Sequence, residues 1–327
     1  MIAHQDAALR ALADTRQMLQ IDDRWTVAES RGFTWWAGAL SQRLWAEPTV
    51  DDAGTVVARA HAETALLRDV PDTPHTVSTL EALNGAPTLG AYLWDRERGT
   101  VSAHCTAYFH DQNVAWLGRL FTIATALQVA DAYSRAPALA GLIGGQLDES
   151  AHPRQGRRDD LDEILGVVEQ VYAPIGERPA PFADEFARTP GQEPNPWLLA
   201  TGDENGMSAE FALTGDRPAM LGGPPQTAFF LAEALRHPHL GNGALLRLFL
   251  PVAGDAQQAM ALNRAEPREW GRAHLLGAWS ASERGLCWAQ FLPALAHMPG
   301  ILQALAFNMA TRAEWAKGCL EPGATHE

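Results

Sequence analysis

Leu9, Leu12, Arg16 and Leu19 recur three and four positions apart along residues 3–20, the period of a helix that buries one face. Short segments rich in Trp and Val follow at 33–40, 42–46 and 55–61 and predict strands. The acidic turn Asp51-Asp52-Ala53-Gly54 separates the last two, because Asp and Gly accept turn geometry at low cost. A helix is predicted over 77–84, then a hairpin with arms 89–95 and 100–109 around Arg96-Glu97-Arg98-Gly99. A long apolar helix carries Trp116, Leu120, Ile123 and Leu127 on one stripe.

The second half repeats this order. Asp160, three residues before Glu163, is placed to cap a helix whose buried stripe is Leu161, Leu165, Val168 and Tyr172. After a proline-rich stretch, arms 197–201 and 207–213 flank Gly202-Asp203-Glu204-Asn205-Gly206. Segments 229–235 and 244–252 flank a turn at 238–243. A helix over 255–263, a hairpin over 275–292 and a helix over 299–316 complete the half. Short words recur at matching places. Ala82-Leu83-Asn84, Leu89-Gly90-Ala91-Tyr92 and Glu97-Arg98-Gly99 correspond to Ala261-Leu262-Asn263, Leu276-Gly277-Ala278-Trp279 and Glu283-Arg284-Gly285. A period this long is a duplicated domain, since solenoid units repeat every ~20–50 residues. Each half reads α-β-β-β-α-β-β-α, an α+β fold with antiparallel sheets. The expected division is a first copy over 1–145, a polar linker over 146–158 and a second copy over 159–327, packed as an intramolecular pseudo-dimer.

This element order resembles the type III secretion chaperone-like fold, including its YbjN-like branch. The second copy carries the likeness in Leu240-Gly241-Asn242-Gly243-Ala244-Leu245-Leu246, Leu262-Asn263, Gly277-Ala278-Trp279, the Gly285 turn and Phe291-Leu292-Pro293. The first copy carries it in Ala82-Leu83-Asn84 and residues 89–99. The resemblance implies a small domain that binds proteins or peptides without catalysis, in many members as a homodimer. Here the duplication would supply both protomers covalently.

A net charge of −14 works against binding the nucleic-acid backbone, which requires clustered Lys and Arg. Lys317 is the only lysine and is followed by Gly318, so neither a phosphate-binding Gly-Lys-Ser/Thr loop nor a Schiff-base lysine is expected. Cys105, Cys287 and Cys319 form no Cys-x-x-Cys pair, which fits a reducing compartment. The N-terminus lacks a basic region followed by an apolar core, and no apolar run approaches the ~18 residues that cross a bilayer. A cytoplasmic location without membrane contact is the expectation.

The chemical motifs dissolve on inspection. His237-Pro238-His239 has no third ligand nearby for zinc. His61-Ala62-Glu63 lacks the cysteine half of a deaminase site. His104 and Cys105 are adjacent on a strand and point to opposite faces, so the imidazole is not the base of the thiol. Asp203-Glu204-Asn205-Gly206 lacks the closing Glu of a calcium loop. No Gly-x-Ser-x-Gly or His-Glu-x-x-His occurs. No catalytic residue, metal ligand or cofactor is expected.

What remains is aromatic. Trp35, Trp36, Trp45, Trp197, Phe249, Trp279 and Trp288 fall on predicted strands and form the candidate interaction surface, because aromatics bury large areas at little entropic cost. The strand over 245–250 is apolar on both faces except Arg247, so both faces need cover. The expected function is a non-catalytic module that binds a protein or peptide client, as a monomer with a pseudo-dimer or as a homo-oligomer. The alternatives are an enzyme using Asp/Glu and His at the domain seam, or a structural or regulatory oligomer subunit.

Overall fold

A computed structural model describes residues 3–50, 54, 56–86, 89–163, 165, 182–192, 197–213, 226–237, 241–270 and 274–320. The chain divides into two units. Met1–Val171 and Asn263–Ala278 form the first, and Tyr172–Leu262 and Trp279–Glu327 form the second.

In the first unit, helix α1 (Ala3–Met18) leads into four strands, β1 (Thr26–Glu29), β2 (Gly32–Trp36), β3 (Ser41–Val50) and β4 (Val56–Arg68). Helix α2 (Pro74–Asn84), the hairpin β5 (Ala91–Asp95) and β6 (Thr100–Phe109), and helix α3 (Val114–Ile143) follow. The antiparallel sheet has the order β1-β2-β3-β4-β6-β5. Helices α1 and α3 pack on one of its faces. Strand β4 makes this possible by presenting Ala58, Ala60, Ala62 and Thr64 at every second position, all fully buried and small enough for helices to approach closely. A polar network pins α3 to the sheet. Trp35 Nε1 donates to Gln42 Oε1 at 2.9 Å, Gln42 Nε2 donates to Gln128 Oε1 at 2.7 Å, and Gln128 Nε2 donates to the Ala62 carbonyl at 2.9 Å. Each buried amide is thereby satisfied, as burial requires.

The second unit contains α4 (Ala183–Arg188), β8 (Leu199–Gly202), β9 (Gly206–Ala212), β10 (Thr227–His237) and β11 (Gly241–Phe249). It continues with α5 (Ala256–Glu269), whose last residues belong to the first unit, then β12 (Ala278–Ser282), β13 (Gly285–Pro293) and α6 (Ile301–Leu320). Its sheet runs β8-β9-β10-β11-β13-β12. That is the strand order of the first sheet, position for position. The equivalence extends to single residues. Gly99 (φ +63°) and Gly285 (φ +109°) both turn their hairpins in the left-handed region. A Cβ on Gly99 would meet the Val70 carbonyl and one on Gly285 the Val252 carbonyl, each just after the preceding long strand. Only glycine meets both demands.

Both halves are α+β with an antiparallel sheet, as the periodicity predicts, and four strands precede the middle helix in each. In the second half they fall on the four segments the sequence marks, whereas in the first half β1, at the outer edge, is additional. Residues 146–158, expected to be a linker, are held against the first unit. Gln146–Leu147 forms a short strand β7 paired with Arg68 and Leu67 of β4. Ser150 N donates to the Ala39 carbonyl at 2.9 Å, and the buried Arg158 donates to the Trp36 carbonyl at 2.6 Å. Most of the helix expected after Asp160, part of the acidic turn over 51–54 and the start of the turn over 238–243 lie outside the described residues.

Candidate functional site

The face of the first sheet opposite α1 and α3 is polar, and the register shows why. Strand β4 lies between β3 and β6, so residues fall into cross-strand rows: Glu47, Arg59 and Tyr108; Trp45, His61 and Thr106; Arg43, Glu63 and His104. Side chains alternate between faces along a strand, so all nine share one face. Arg59, His61, His104 and Thr106 are buried.

At its centre, Thr106 Oγ1 lies 2.9 Å from both His61 Nδ1 and His104 Nε2, and the two imidazole nitrogens are 3.2 Å apart. The other nitrogen of His61, Nε2, is 3.2 Å from Glu47 Oε1. That contact lies off the donor axis, so its attraction is electrostatic and not a directed hydrogen bond. Glu47 also receives Arg59 Nη2 at 2.6 Å. The Trp45 ring stacks on His61 with centroids 4.7 Å apart and planes 10° apart. One proton arrangement satisfies the triangle with both rings neutral. His61 carries its proton on Nε2 beside Glu47, and His104 carries its proton on Nε2 and donates into the triangle.

Burial sets the protonation. Loss of hydration lowers His61, with Glu47 opposing, and lowers His104 well below the ordinary imidazole value, where His61, Arg268 and Arg59 add repulsion. Contact with His61 holds Glu47 below the usual carboxylate range. Trp270, His274 and Leu275 of the same unit cover this face. The Trp270 carbonyl accepts from Arg59 at 3.5 Å, the Leu275 carbonyl accepts from Thr106 N at 3.1 Å, and the His274 ring packs 4.3 Å from that of Tyr108. Hydroxyl, imidazole and carboxylate stand in the order that activates a hydroxyl nucleophile, but Thr106 is fully buried beneath this cover.

Of the expected aromatic surface, Trp35, Trp36 and Trp45 belong to the first unit and Trp197, Phe249, Trp279 and Trp288 to the second. Trp35, Trp36, Trp279 and Trp288 are buried. Trp35 joins the Gln42 network, Trp36 donates to Ser150 Oγ at 2.9 Å, and Trp288 lies 4.0 Å beneath the buried Arg312 guanidinium. Trp45, Trp197 and Phe249 are half-buried. Cys105 and Cys287 are buried, and loss of hydration raises each thiol to about 12, so neither is a ready nucleophile. Among the described residues, no group of three or more His, Cys, Asp or Glu could hold a metal ion. No helix among them is long and apolar enough to cross a membrane.

In the second unit, β8 pairs only with β9 among the described strands. Leu198 and Leu199, at its start, are 59% and 60% exposed. Pairing His61 with Glu63 and His104 with Cys105 as sequence neighbours hid the polar cluster. The readable signal was the polar residue at every second position of β4 and β6. No family model, curated protein or solved structure matches the chain.

Proposed function

We propose that this chain is a non-catalytic binding protein, in which two copies of one α+β domain form an intramolecular pseudo-dimer and hold an extended segment of a client protein. The observation that carries this reading is the edge strand β8, with two exposed leucines and an outer side that no described strand pairs. A strand at a sheet edge offers unpaired backbone groups to an incoming peptide, and flanking apolar side chains add burial at ~25 cal/mol per Å². The shared strand order of the two sheets supports the duplication. We read each copy as a variant of the type III secretion chaperone-like fold with one strand added at the edge. The absence of a Cys-x-x-Cys pair among Cys105, Cys287 and Cys319 accords with a cytoplasmic protein.

The test is selection from a displayed random-peptide library, followed by hydrogen exchange of the complex. Selected peptides should alternate apolar and polar residues and protect the β8 amides. They should bind at least about tenfold more weakly to the Leu198→Lys/Leu199→Lys double variant. Failure to enrich any peptide, or binding indifferent to the double variant, would remove the proposal.

A second reading, acid–base chemistry, rests on the Glu47–His61–Thr106 order and requires the cover that Trp270, His274 and Leu275 provide to open. Covalent labelling of Thr106 by a fluorophosphonate, abolished in His61→Gln, would favour it. An unlabelled protein would count against it.

A further inference from the structure

The β8–β9 hairpin is acidic. Residues 199–212 hold three carboxylates, Asp203, Glu204 and Glu210, and no Lys, Arg or His. Asp203 shapes the turn, where its Oδ1 accepts from Asn205 N at 2.8 Å and from Gly206 N at 3.2 Å. Helix α4 packs against β8, and its Arg188 already pairs with Asp184 at 3.3 Å. Glu204 is exposed at the turn and Glu210 is half-buried on β9, and no described cation pairs with either.

The register fixes where Glu210 stands. Leu199 lies directly opposite Glu210, and Thr201 directly opposite Ser208, with their hydroxyl oxygens 3.1 Å apart. Directly opposed residues share a face, so the exposed Leu199 and the Glu210 carboxylate are neighbours there. Met207, Ala209 and Phe211 point to the other face and are buried. A client strand added outside β8 places the residue beside Leu199 two strand spacings, about 10 Å, from Glu210. An Arg or Lys bridges that distance together with the Glu210 side chain. Its alkyl stem covers Leu199, and its charged head reaches the carboxylate. A short residue leaves Leu199 uncovered, and an acidic one meets Glu210 as a like charge.

We infer that the β8 edge selects a basic extended segment, in which an Arg or Lys lies across Leu199 and pairs with Glu210. This selectivity rests on the reading of β8 as the client edge and names the chemistry of that client. The net charge of −14 draws basic peptides to the chain as a whole. Glu210 does more, because it fixes the cation at one position of the incoming strand.

Calorimetric titration of the full chain with three capped octapeptides, alternating Val with Arg, with Gln or with Glu, separates charge from edge pairing. The Arg peptide should bind at least about tenfold more tightly than the Gln peptide, and the Glu peptide should bind most weakly. Glu210→Gln should weaken the Arg peptide about fivefold and leave the Gln peptide within about twofold. Glu283→Gln, in the β12–β13 turn at the opposite edge of the same sheet, should leave both unchanged. Hydrogen exchange should show the β8 amides protected by the Arg peptide. Equal affinity for the Arg and Gln peptides, with both protecting β8, would overturn the selectivity and leave the client edge standing. Equal losses from Glu210→Gln and Glu283→Gln would assign the preference to net charge and overturn it as well. If no peptide protects the β8 amides, the client edge itself falls, and the selectivity with it.

Discussion

Gln20 occupies a backbone conformation that costs a side chain energy. Its φ is +49°, and the bonds from Gln20 N to the Gln17 carbonyl and from Ile21 N to the Arg16 carbonyl close α1 in the pattern usually completed by glycine. Gln20→Gly should stabilise the first unit by about 0.5–1 kcal/mol in urea denaturation, and a loss of stability would show that the side chain compensates for the strain. The two histidines behave in the opposite sense to a stabilising pair. Both have folded values below the unfolded one, so between those values the unfolded chain binds protons that the folded chain refuses. Their penalty is absent above the unfolded value near pH 6.5. It grows as pH falls, by about 1.4 kcal/mol per pH unit for each histidine, until the folded state protonates. Glu47, lowered in the folded state, adds a further loss once pH drops through the carboxylate range. Stability measured from pH 7 to pH 5 should therefore decline, and His104→Asn should flatten the slope. An unchanged slope would place the titration elsewhere.

Elements show the same logic at larger scale. The Glu185 carboxylate of α4 accepts from Gly300 N and Leu302 N, each at 3.1 Å, and lies 2.9 Å from His297 Nε2. It thus supplies from another element the cap that α6 lacks in its own sequence. Glu185→Gln should cost about 1–2 kcal/mol in the unfolding transition of the second unit, whereas a change within 0.5 kcal/mol would show that the cap is dispensable. Long periodic elements were legible from sequence: α3, the β5–β6 hairpin and α6 lie where the hydrophobic spacing places them. Strand β1 was not, because Thr26–Glu29 is too short to show an alternation. Strand β7 was not, because its two residues pair with a strand nearly eighty positions earlier, and no local pattern records that. The polar cluster was half legible. Arg59, His61 and Glu63 alternate visibly, but the register that brings Thr106 and His104 beside them belongs to the sheet and not to any one strand.

At the scale of the molecule, the matching sequence words are unequally spaced. The chain between Asn263 and Leu276 is longer than its counterpart between Asn84 and Leu89. Within that stretch, Trp270 and His274 pack against the first sheet's polar face. Leu275 is fully buried and packs with Ala91 and Leu93. In the intact chain, Leu275→Ala should cost about 2–5 kcal/mol. It should also let His104 titrate closer to its ordinary value, as followed by histidine NMR. If His104 does not move, burial by this segment is not what suppresses its charge.

The first unit is also discontinuous in time. A ribosome working at ~5–20 residues per second finishes Val171 several seconds before it delivers Asn263–Ala278. Throughout that interval the nascent sheet holds His61, His104 and Arg59 without their final cover, so folding cannot finish in the order of synthesis. The last part of the first unit to arrive, Asn263–Ala278, is made only after Tyr172–Leu262 of the second unit.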